Sequence, residues 1–153
     1  TEEKASAARA AGADHVILYT KEDFAGAMKR LTDGHGADLI LDGVGKSTVA
    51  GDLDAVATRG NIVVFGSASG PADPVEPRAL MARSISLSGG SLMHFTASRR
   101  ELLRRSRAVL DALLRGWLKL RIDHVLPLAD AQEAHRWLES RGSVGKIVLR
   151  VAD

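Results

Sequence analysis

Residues 42–48 read Asp-Gly-Val-Gly-Lys-Ser-Thr and carry two partial signatures of phosphate chemistry. Gly45, Lys46 and Ser47 match the end of a P-loop, where backbone N–H groups wrap phosphates and a lysine meets their charge. The first glycine of that motif would have to stand at Ile40, inside an apolar run. The loop is therefore too short to hold a triphosphate. Gly43, Val44 and Gly45 match the head of the dinucleotide fingerprint, Gly-x-Gly-x-x-Gly/Ala. Thr48 occupies the third small-residue position, and no acid lies at 65–67 to bind a ribose. A lone Gly-x-Gly equally describes a tight strand-to-helix turn that needs glycine for its backbone angles.

Other chemistry-bearing residues are scattered. Lys4 lies in the first turn of an alanine-rich helical stretch, where the helix dipole prefers acids. A phosphate between Lys4 and the helix N-terminus would reverse that mismatch; a solvated surface lysine is the plain alternative. The five histidines, at 15, 35, 94, 124 and 135, show no ligand spacing to one another or to a carboxylate, and no Ser-His-Asp order is apparent. Arginines at 99, 100, 104, 105, 107 and 115 share a helical segment with an opposite leucine face, which reads as a solvated side rather than a nucleic-acid stripe. Net charge is only +2, which gives no global field for nucleic acid or a membrane surface. The chain has no cysteine, so disulfides, zinc thiolates and a cysteine nucleophile are excluded within it, and a reducing cytoplasm is expected. No apolar run approaches the roughly 20 residues of a membrane span, and the N-terminal stretch does not read as a signal peptide.

The elements that must position these residues follow from periodicity. Residues 2–12 read as a helix with Thr1 as N-cap and Gly12 as its stop. Residues 15–19 read as a strand, 22–32 as a helix, 37–44 as a buried strand and 47–58 as a helix ending at Gly60. A strand at 61–67, a proline-rich loop, a short helix at 78–83 and a strand at 84–92 follow. Ser98-x-x-Glu101 opens a long helix to about 119, 124–128 is a strand, Asp130-x-x-Glu133 caps a helix through 140, and 145–151 is a closing strand. Strands alternating with helices predict an α/β fold with a parallel sheet, whose ligands lie at the carboxyl ends of its strands.

Four segments, "TEEKASAARAAGADHVILY", "ADLILDGVG", "NIVVFGSASG" and "HVLPLADAQEAHRWLESRGSVGKIVL", occur in an order that resembles the medium-chain dehydrogenase/reductase superfamily. The likeness is to its zinc-independent quinone oxidoreductases, the zeta-crystallin-like branch, and it covers the C-terminal half of such a protein. It implies a Rossmann-like parallel sheet, incomplete because the first two strands are missing, with a C-terminal helix and a β-α-β segment from the catalytic domain. The implied domains are 1–95, part of the NADP-binding domain; 96–120, a connecting helix; and 121–153, the last of the catalytic domain.

The resemblance also implies a cofactor, NADPH, and hydride transfer to a quinone or other conjugated electrophile without a metal. Lys4 and Tyr19 match positions that contact the adenosine 2′-phosphate. Gly43 approaches the nicotinamide side. Phe65, Gly66, Ser67 and Ala68 line the nicotinamide ribose, Gly90, Ser91 and Leu92 meet its carboxamide, and Arg141 reaches the cofactor near the closing strand. The strand at 84–92 matches the seam of a homodimer. No catalytic acid is nominated. Three other readings remain open at this point: an enoyl reductase of acyl thioesters, a non-enzymatic NADPH-binding or dimerisation module, and another doubly wound fold such as a response regulator, for whose acidic cluster only Asp42 stands at a strand end.

Overall fold

A computed structural model describes residues 1–140 and 142–151. Its contacts divide the chain into two compact units, Ile17–Ala97 and a second formed by Thr1–Val16 with Ser98–Asp153.

The unit Ile17–Ala97 is built on a three-stranded parallel sheet in the order β1-β2-β3, with β1 at Ala37–Asp42, β2 at Val56–Val64 and β3 at Ser86–Gly89. Helices α2 (Phe24–Leu31), α3 (Val49–Ala55) and α4 (Pro77–Met81), with the short α5 (Leu92–Phe95), complete it. Its core is Val56, Ile62 and Ile85, with Ile40, Leu53, Val64, Leu80 and Leu87 packed around them. Helix α2 starts where Asp23 accepts from the Ala25 and Gly26 N–H groups. It packs on α3 because Gly51 has no side chain: a Cβ there would stand 2.5 Å from the Phe24 ring.

Two expectations change here. Residues 15–18 form no strand. β-branched composition favours an extended backbone, but a strand exists only through ladder bonds to a neighbour, and both ladder partnerships of this sheet join β1, β2 and β3. The helix expected over 47–58 ends at Ala55, and β2 begins at once. Pairing slips from Ala37–Val56 to Leu39–Asn61, and Arg59 takes a φ of +64° inside the slip. The apolar face at 53 and 56 thus spans a helix end and a strand start, which helical periodicity cannot distinguish.

The other unit contains α1 (Glu2–Ala10), α6 (Arg99–Leu114), and a parallel pair, β4 (Ile122–Pro127) and β5 (Lys146–Arg150), joined through α7 (Ala131–Glu139). Thr1 caps α1 by accepting from Lys4 N–H at 3.3 Å, and Ser98 caps α6 by accepting from Glu101 N–H at 3.2 Å. Helix α6 stops five residues before its expected end at 119. Gly116 adopts φ +74°, and the Trp117 and Gly116 N–H groups bond back to the Ala112 and Leu113 carbonyls. Such a left-handed closure after the helix satisfies the last carbonyls. Asp130 makes no side-chain cap, because a 3-10 turn at Leu128–Asp130 leads into α7 and holds it outside the extended region a capping side chain needs. Among the described residues, no helix is long and apolar enough to cross a membrane.

Candidate functional site at the carboxyl end of the sheet

The last ladder row aligns Asp42 with Val64 and Val64 with Gly89. The next residues, Gly43, Phe65 and Gly90, therefore leave the sheet side by side. Two bonds extend the register one step, Phe65 N–H to the Asp42 carbonyl at 2.8 Å and Gly90 N–H to the Val64 carbonyl at 2.9 Å. Parallel pairing turns three loops far apart in sequence into one rim.

The first two loops interlock. Ala68 N–H donates to the Gly43 carbonyl at 3.3 Å, Ser69 N–H to the Val44 carbonyl at 2.9 Å, and Lys46 N–H to the Gly70 carbonyl at 3.1 Å. A Cβ at Gly66 would stand 2.6 Å from the Gly43 carbonyl oxygen, and one at Gly43 would stand 3.0 Å from the Phe65 ring. Gly45 has φ +87° and no room for a side chain beside Gly70 and Ser67. The glycines of these loops are therefore consumed by chain-to-chain contact.

The turn 42–48 also owes its shape to its own first residue. Asp42 is buried, and its Oδ1 accepts from Val44 N–H at 2.6 Å and Gly45 N–H at 3.2 Å. Its Oδ2 accepts from the Thr48 hydroxyl at 2.9 Å. The Ser47 N–H goes to Ser69 Oγ, and the Thr48 and Val49 N–H groups go to the Gly45 carbonyl. The N–H groups that a P-loop would aim at phosphates are thus occupied by a carboxylate, a serine hydroxyl and carbonyls of the chain. Burial pushes the Asp42 carboxyl up, but the hydrogen bonds from Val44, Thr48 and Gly45 outweigh it and hold its pKa below 3.8. Asp52, also buried, rises to about 7 through burial, then the charge of Asp42 and a hydrogen bond with it. Sequence reading did not single out Asp52. Its signal was an acid three residues after Val49, on the stripe that α3 buries.

Tyr19, Ile17, Phe24 and Leu41 line a cavity of about 290 Å³ with Asp42, Gly43, Thr48 and Asp52. The rim thus joins Tyr19, Gly43, Phe65, Gly66, Ser67, Ala68 and Gly90. Phe65 is 60% exposed, and its Cβ lies 3.8 Å from where a Gly90 Cβ would be. Ser91 precedes α5 as its N-cap residue, and Leu92 begins that helix, largely exposed. Lys4 lies in α1, in the other unit. Arg141 lies outside the described residues. His35, expected without a carboxylate partner, meets Asp38 at 2.9 Å on the surface.

A glycine-lined rim at the carboxyl ends of parallel strands, with an exposed aromatic at its centre, is where doubly wound folds bind nucleotides. The family model described as "Zinc-binding dehydrogenase" matches residues 11–149. The chain belongs to that family. Within this family it is 36% identical over 97% of its length to the 2-haloacrylate reductase of a Burkholderia species, covering 45% of that protein. Escherichia coli quinone oxidoreductase, solved in complex with NADPH, superposes with a TM-score of 0.91 at 34% identity, over 99% of this chain and 47% of that one. A mycobacterial quinone oxidoreductase superposes with a TM-score of 0.87 at 40% identity, over 99% and 47%. The two solved structures are quinone oxidoreductases of the medium-chain dehydrogenase/reductase superfamily, the branch that the four segments resemble. The chain spans about half the length of the curated relatives it matches.

Zinc, which the family's name mentions, does not fit here. Among the described residues no group of three or more His, Cys, Asp or Glu side chains could hold a metal ion. Of the two buried acids, Asp42 is taken up by N–H and O–H donors.

Proposed function

We propose that these residues form part of an NADPH-dependent oxidoreductase that reduces a quinone or another conjugated electrophile. The observation that carries this is the row Gly43–Phe65–Gly90 at the carboxyl ends of three parallel strands. It is supported by a solved relative complexed with NADPH and by relatives named for quinone and haloacrylate reduction; both acceptors carry a conjugated, electron-poor double bond.

Gly43, Phe65, Gly66, Ser67 and Ala68 would hold the nicotinamide-ribose end, with Gly90, Ser91 and Leu92 at the carboxamide. By the resemblance, Tyr19 and Lys4 match positions that meet the adenosine 2′-phosphate, and Arg141 matches one that reaches the cofactor near the closing strand. Bound there, NADPH supplies the hydride. The residues of this chain bind and orient: the Phe65 face offers a flat apolar wall, the glycines permit close backbone approach, and Leu92 excludes water from the reacting face. Residues 1–95 serve the nucleotide, 96–120 connect, and 121–153 belong to the catalytic domain. A cytoplasmic location is part of this proposal, and a chain without cysteine suits it.

NADPH titration followed by backbone-amide NMR tests this. Shifts should concentrate at 43, 65–68 and 90–92, and NADPH should act at lower concentration than NADH, because only it carries the 2′-phosphate. Perturbations spread over α6, β4 and β5, with none on this rim, would refute the reading.

A further inference from the structure

Asp52 sits near the start of α3, 4% exposed, and its Oδ2 is buried without a hydrogen-bond donor. Its carboxyl lies against that of Asp42, whose oxygens already accept from Val44, Gly45 and Thr48. Among the described residues no cation pairs with either acid. An ionised Asp52 would set two carboxylates together away from water, with one oxygen unsatisfied, which is a costly arrangement. A neutral acid avoids both costs, since its own O–H can be donated to Asp42.

We propose that Asp52 is a positioning residue: kept as the neutral acid, it donates to Asp42 and clamps the 42–48 turn in the shape that meets the cofactor. Loss of its proton puts a second negative charge beneath the turn and loosens the Asp42 bonds to Val44 and Gly45. This deepens the proposed function and rests on the reading that Gly43 faces the nicotinamide end.

The neighbouring groups leave this proton to the pair. From β1, Asp42 is the facing charge. Tyr19 stands in the wall of the same cavity. Lys46, on the turn, lines a different cavity with Asp73 and Glu76. Glu22 and Arg30, beside and on α2, pair with each other at 2.8 Å. Arg83 donates to the Leu53 and Val56 carbonyls at the far end of α3. With Asp52 pushed up to about 7, the clamp is closed in mild acid and opens as pH rises through about 7.

The test is an NMR pH titration of the full chain and of Asp52→Asn, whose amide keeps a donor toward Asp42 but cannot titrate. In the parent chain, the Val44 and Gly45 amides should move together with one transition near neutrality. In Asp52→Asn they should stay in their low-pH positions throughout. NADPH affinity should fall roughly tenfold over two pH units across that transition in the parent chain and change less than about twofold in the variant. Flat Val44 and Gly45 amides in the parent, or identical transitions in both proteins, would overturn the clamp. So would titrating amides with an NADPH affinity that ignores pH. Titrating amides with no NADPH shifts at 43, 65–68 or 90–92 would instead leave the clamp standing and remove the cofactor reading beneath it.

Discussion

Asp42 shows how one side chain can change what a motif means. Spelled out, Gly-Val-Gly-Lys-Ser offers amides to an anion; folded, the Val44 and Gly45 amides already hold one, the Asp42 carboxylate, and those of Lys46 and Ser47 are taken by the Gly70 carbonyl and Ser69 Oγ. The Thr48 hydroxyl completes this set, so Thr48→Val should destabilise the fold by about 1–2 kcal/mol in denaturant unfolding, and Thr48→Ser should recover most of that. The two acids should also oppose each other in their pH dependence. Asp52 binds its proton more tightly folded than unfolded, so its stabilisation is complete below 3.8 and is lost as pH rises through about 7. Asp42 binds its proton less tightly when folded, so its contribution is present above 3.8 and is lost as pH falls below that value. Thermal melts should therefore show Asp52→Asn flattening the neutral limb of the stability profile while leaving the acid limb in place. A neutral limb unchanged in that variant would contradict the assignment.

The parallel strands earn their arrangement from the short helices between them. Helix α3 carries the chain from the end of β1 back to the start of β2 at Val56, and the slip at 57–60 lies within β2, so both strands end at the same rim. Close backbone approach between the loops at 43 and 66 then decides the rim's width. Gly66→Ala would drive a Cβ to 2.6 Å from the Gly43 carbonyl oxygen, which is backbone and cannot rotate aside. We expect a loss of about 1–3 kcal/mol in chemical denaturation and a displaced Phe65, seen as changed amide shifts at 43 and 90. Residues 15–18 illustrate the reverse case. Their composition favours a strand, yet in the doubly wound order 3-2-1-4-5-6 a third strand lies beside the second and not beside the fourth. The resemblance assigns 15–19 and β1 to those third and fourth places, so the sheet β1-β2-β3 offers 15–18 no ladder.

Among the described residues, β3 pairs on one side only, with β2, and its residues are mostly exposed. An open edge of this kind invites pairing with a second copy, and a homodimer through 84–92 should appear in gel filtration at twice the mass of one chain. A monomer mass at high protein concentration would count against it. The 153 residues contain no complete Gly-x-Gly-x-x-Gly/Ala run for a pyrophosphate, so calorimetry should find them binding NADPH more weakly than micromolar. The parallel α/β class, the caps at Thr1 and Ser98 and the glycine-bearing strand ends could all be read from residue order, because hydrophobic period and cap chemistry act within a few residues. The family came from four segments taken together. The slip at 57–60, the early closure of α6 at Gly116, the interlock of the loops at 43 and 66 and the buried pair Asp42–Asp52 could not be read that way. The α6 closure is a local one, at a glycine that the leucine periodicity runs past. The slip, the interlock and the acid pair each depend on which backbone groups and charges meet across ten or more residues, and only folding brings those partners together.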